Sequence, residues 1–126
     1  MFVIDSNKTI HLTRGDVATI SVSAMVSAND SAYTFKQGDV VRFLIFKKKV
    51  CDDVVLSKTV KIESDTETVD IKLTTADTKL FEIAGKPIEY WYEIELNPGV
   101  SPQTIIGYDE DGPKLVKIYP EGVNNG

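Results

Sequence analysis

The feature that most narrows what this chain can fold into is a two-residue rhythm in its apolar side chains. Ala18, Ile20, Val22, Ala24 and Val26 alternate with Thr19, Ser21, Ser23 and Met25. The beat returns as Val41, Phe43 and Ile45, then as Val69, Ile71 and Leu73, then as Tyr90, Tyr92, Ile94 and Leu96. Successive side chains of a strand point to opposite faces, so each run has one face to bury and one for solvent. Several such runs bounded by turn residues predict antiparallel sheets packed on each other. With 126 residues the chain makes one domain, able to bury roughly two-thirds of its unfolded surface without metals or crosslinks.

The alternation places a first strand over 8–14, with Ile10 and Leu12 facing in, and a second over 17–27 after a turn at Gly15-Asp16. A turn at Gln37-Gly38-Asp39 introduces a strand over 40–48, and further strands cover 54–62 and 69–73. The rhythm breaks at 75–81. There Thr75 or Asp77 is expected to cap a short helix, with Leu80 and Phe81 tucked against a sheet edge. A strand over 88–96 follows. Segments 103–108 and 113–119 are expected to form a hairpin across Asp109-Glu110-Asp111-Gly112, ahead of a flexible tail over 121–126. The expected fold is all-β: an immunoglobulin-like antiparallel β-sandwich of seven or eight strands with one short helical connector.

Little in the composition points to chemistry. The net charge of -5 disfavours nucleic acid and anionic membranes as partners, because phosphate binding needs a basic surface. Cys51 is alone, so no internal disulfide is possible, and Asp52 and Asp53 beside it would raise its pKa. The segment Met-Phe-Val-Ile-Asp does not read as a signal peptide, and no run of about 18 apolar residues is present to cross a membrane. Folding in a reducing cytosol is the expectation.

His11 is the only histidine and alternates away from Ile10 and Leu12, so neither a two-histidine metal set nor a nucleophile–base pair is readable. No phosphate loop is present: Gly15, Gly38, Gly85, Gly99 and Gly112 each stand singly at turns. No catalysis, cofactor or metal is expected. Arg14-Gly15-Asp16 spells an integrin-binding tripeptide but reads as turn chemistry where a strand must reverse. Asp109, Glu110 and Asp111 match no calcium-loop spacing. Asn7-Lys8-Thr9 and Asn29-Asp30-Ser31 fit the glycosylation pattern, which has no use in a chain without a secretion signal.

The strand over 40–48 carries a second apolar face. Behind Val41, Phe43 and Ile45 lie Arg42, Leu44, Phe46 and Lys48. In the 88–96 strand, Trp91 shares the outer side with Glu93 and Glu95. If the two strands lie in one sheet, Leu44, Phe46 and Trp91 form an exposed apolar centre rimmed by Arg42, Lys48, Glu93 and Glu95, the composition of a partner surface. The competing expectation is that the 28–37 loop, with Tyr33 and Phe35, folds back and covers it. An exposed Trp91 beside Tyr90 also suits stacking on a sugar ring, which leaves a carbohydrate-binding module for cell-surface polysaccharide as the alternative function.

The order of segments carries a resemblance. Ile10-His11-Leu12-Thr13-Arg14-Gly15-Asp16 opens the domain, and the run from Tyr33 through Gln37-Gly38-Asp39 to Phe43 follows one strand later. Thr75-Ala76-Asp77-Thr78-Lys79-Leu80 precedes Tyr90-Trp91-Tyr92-Glu93-Ile94-Glu95-Leu96, and Tyr119-Pro120-Glu121-Gly122 closes it. Over 8–122 the chain resembles the small immunoglobulin-like domain of tail and baseplate proteins in phages and prophages of Gram-positive bacteria. In particular it is similar to the N-terminal module of upper baseplate proteins. That resemblance implies a free-standing structural or adaptor module made in the bacterial cytoplasm and built into the virion tail. Its implied partners are other tail and baseplate proteins or a second copy of itself. The family has no catalytic residues to carry over, and the receptor-binding or coiled-coil extension of its larger members is missing.

Overall fold

The alternating runs become eleven strands and one helical turn in the computed structural model, which describes residues 2–4, 8–26, 31–48, 52–81, 85–97, 103–106 and 113–121. The strands are β1 (Phe2–Ile4), β2 (Ile10–Thr13), β3 (Ala18–Val22), β4 (Met25–Val26), β5 (Ser31–Ala32), β6 (Val40–Lys48), β7 (Asp52–Lys61) and β8 (Val69–Leu73). After α1 (Thr75–Thr78) come β9 (Ile88–Leu96), β10 (Gln103–Ile106) and β11 (Lys114–Tyr119).

The fold is an all-β sandwich. One sheet runs β1-β2-β11-β9-β6-β7, with β10 also paired to β9; β3 and β8 form a second sheet, and β4 and β5 a small separate ladder. The two layers share one core. Ile20, Val22, Val69, Ile71 and Leu73 pack with Ile10, Leu12, Val41, Phe43, Ile45, Tyr90, Tyr92, Ile94, Val116 and Ile118. These are the inward sets of the alternation, and Phe43 and Tyr92 meet at a ring separation of 5.7 Å. β3 and β8 alternate buried and exposed residue by residue, as a layer with one wet face must.

Three elements depart from the expected arrangement. The sheet is not wholly antiparallel, because β11 pairs with β2 in parallel, from Val116–Ile10 to Tyr119–Thr13. The second strand is shorter than 17–27: it stops at Val22, and Met25–Val26 pairs instead with Ser31–Ala32. The third correction concerns the C-terminal hairpin. β10 and β11 both run antiparallel to β9 along the same edge, β10 against Ile94–Leu96 and β11 against Ile88–Tyr92. They are therefore collinear along β9 and are not paired with each other. An Asp-Gly turn signal acts locally, whereas the pairing is decided by the nine-residue edge of β9, long enough to host both strands in turn. The Asp109–Asp111 segment, Cys51, Asn29-Asp30 and the tail from 122 lie outside the described residues.

The connector forms as a single helical turn, capped one residue earlier than expected. Thr74 Oγ1 accepts from the Asp77 N–H at 3.1 Å, and the Asp77 carboxylate accepts from the Thr74 N–H at 2.8 Å. This reciprocal box satisfies two donors that a helix start leaves open. Phe81 is fully buried against Tyr90, ring centroids 5.0 Å apart, but Leu80 is 51% exposed and does not tuck in.

Phe43→Ala should cost about 3–5 kcal/mol, the usual penalty for emptying an aromatic site in a packed core. Tyr92→Phe keeps the ring and removes the hydroxyl bond to the Lys8 carbonyl, and should cost about 1 kcal/mol. Urea titration of both variants measures the two values.

Candidate functional site

Register fixes which side chains share the outer face of the large sheet. Val54, Phe46, Trp91 and Leu115 are successive cross-strand partners on β7, β6, β9 and β11, so an apolar row crosses four strands. One step along lie Ser57, Leu44 and Glu93, and beyond them Thr59, Arg42 and Glu95. On the other side of the apolar row come Glu89, Lys117, His11 and Val3. The apolar row is thus flanked by charged ones, and the five predicted interface residues Arg42, Leu44, Phe46, Trp91 and Glu93 do share this face.

They are not equally accessible. Phe46 is fully buried and Leu44 is 7% exposed, which corrects the expectation of an open apolar centre. Trp91, Arg42 and Glu93 are half-buried. The cover is not the aromatic part of the 28–37 segment: Phe35 sits in the inner core, and Tyr33 packs edge-on against it at 5.2 Å. Phe46 lies in the middle of the transverse row, between Val54 and Trp91, where a ring is flanked on both sides by neighbouring strands. Arg42 donates to Glu95 across the strands at 2.9 Å, while its Nε is buried with no hydrogen-bond partner among the described residues.

Most other polar residues singled out in the sequence hold the sandwich together. Arg14 donates to the carbonyls of Phe81 at 2.8 Å and Lys79 at 3.0 Å, and to Glu121 at 3.1 Å. The fully buried Thr78 hydroxyl accepts from the Gly15 N–H and donates to the Asp16 carbonyl, both at 2.9 Å. Arg14-Gly15-Asp16 is therefore a turn clamped to the helical connector and the C-terminal segment, and its guanidinium is spent on that clamp. His11, half-buried, shares a 2.8 Å hydrogen bond with the Tyr119 hydroxyl.

A second lock was not legible as a unit. Asp39 accepts from the Tyr33 hydroxyl at 2.8 Å, the Lys36 N–H at 2.9 Å and the Asn97 amide at 3.2 Å. Asn97, in a left-handed backbone conformation, also exchanges bonds with the Val40 backbone at 2.9 and 2.7 Å, tying the end of β9 to the start of β6. Burial alone would raise the Asp39 carboxyl. The donated hydrogen bonds and the Lys36 charge outweigh it and hold the group below its ordinary 3.8. Burial, then the bond to Asp39, pushes the Tyr33 hydroxyl up. Asp77 behaves like Asp39: burial opposes ionisation, but the Thr74 N–H, Lys58 at 2.9 Å and the Thr74 hydroxyl bring it down.

Among the described residues no group of three or more His, Cys, Asp or Glu is placed to hold a metal ion. No helix is long and apolar enough to cross a membrane. The most exposed large apolar residues include Val3 and Ile4 on edge strand β1, Val54 on edge strand β7, and Leu80. Val54 and Leu80 line a hollow of about 390 Å³ with Lys47, Asp53, Val55 and Tyr90. Compared with models of known protein families and with curated proteins, the sequence has no match.

Gly15 has φ +90, and a Cβ there would sit 2.6 Å from Glu121 Oε1. The carboxylate can swing aside, so the backbone conformation carries most of the cost, and Gly15→Ala should lose about 1–2 kcal/mol. Adding Glu121→Ala should recover little of it, as urea midpoints of the single and double variants will show.

Asp39 and Asp77 bind protons more weakly folded than unfolded, so their contribution is full above the ordinary aspartate range and lost as pH falls through it. Stability of the parent should drop as the medium is acidified below about pH 5, and Asp39→Asn should flatten that slope in a pH series of urea titrations.

Proposed function

We propose that this chain is a non-enzymatic structural or adaptor protein of a phage-type tail or baseplate, acting through surface-to-surface assembly. The observation that carries the reading is where the resemblance-bearing segments go. The opening Arg14-Gly15-Asp16 turn, the Thr75–Leu80 connector and the closing Tyr119–Glu121 segment bond to one another through Arg14, Thr78 and Glu121. Residues that recur in order along such a domain for that reason form a fold signature rather than a reaction site.

The immunoglobulin-like character belongs to the same proposal. Strands β11-β9-β6-β7 in one sheet, opposite β3-β8, correspond to the partition of a variable-type sandwich. On this reading the chain is made in the bacterial cytoplasm and ends in the virion, its partners being other tail proteins.

The test pairs the purified chain with the tail proteins encoded by adjacent reading frames, using surface plasmon resonance. Binding to one of them with a Kd of about 1 μM or tighter is expected. As the chain has a single tryptophan, its fluorescence reads the Trp91 environment directly. Quenching by bacterial wall polysaccharide, with no binding to any adjacent tail protein, would replace the proposal with sugar recognition.

A further inference from the structure

We draw no further inference here: the strongest candidate, the hollow of about 390 Å³ that Val54, Val55, Leu80 and Tyr90 line with Lys47 and Asp53 near the starts of β7 and β9, carries nothing, because nothing in the structure shows what occupies it.

Discussion

Every strand of the large sheet hangs directly or indirectly on β9. One side of it carries β6 along Trp91–Leu96; the other carries β10 and then β11, which in turn holds β2. Its inward side chains, Tyr90, Tyr92, Ile94 and Leu96, are all buried, so the strand that organises the sheet also supplies the middle of the core. Burial of this kind is the main favourable term in folding and is proportional to apolar area removed from water. A strand flanked on both sides is also the hardest to shift in register, because a one-residue slip would turn four core side chains outward.

Packing fixes the faces of the two layers but leaves the ends of the sandwich open, and the polar residues work there. At one end Arg14, Gly15 and Thr78 join the β2–β3 turn to the helical connector. At another, Asp39, Tyr33 and Asn97 join the β6 entrance to the exit of β9. Each lock gives buried or half-buried polar groups the partners that burial demands. Each also gives a polar motif a structural task, the Arg14 guanidinium being held by two carbonyls and a carboxylate.

How much of this could be read in advance follows from the range of each signal. Phe43 and Tyr92 were legible as core because alternation is local, and the turns at Gly15 and Gly38 because their left-handed backbones suit glycine. The collinear course of β10 and β11 was not legible, since the Asp-Gly signal describes six residues while the pairing depends on the length of β9. The burial of Phe46 was hidden for a related reason. Its row with Val54, Trp91 and Leu115 exists only once the register of four strands is set. The Asp39 lock needs Asn97, fifty-eight positions away, which no local pattern connects to it.

The sandwich as a whole depends on β9, whose inward face supplies the middle of the core while strands pair along both of its edges. Native-state hydrogen exchange of the backbone amides tests that dependence most directly, because amides flanked on both sides open only with the whole domain. The amides of Tyr90–Leu96 should be among the slowest to exchange, with a protection free energy equal to that of global unfolding, while those of β1 exchange earlier. Amides of β9 that exchange as fast as those of β1, or well before global unfolding, would contradict it.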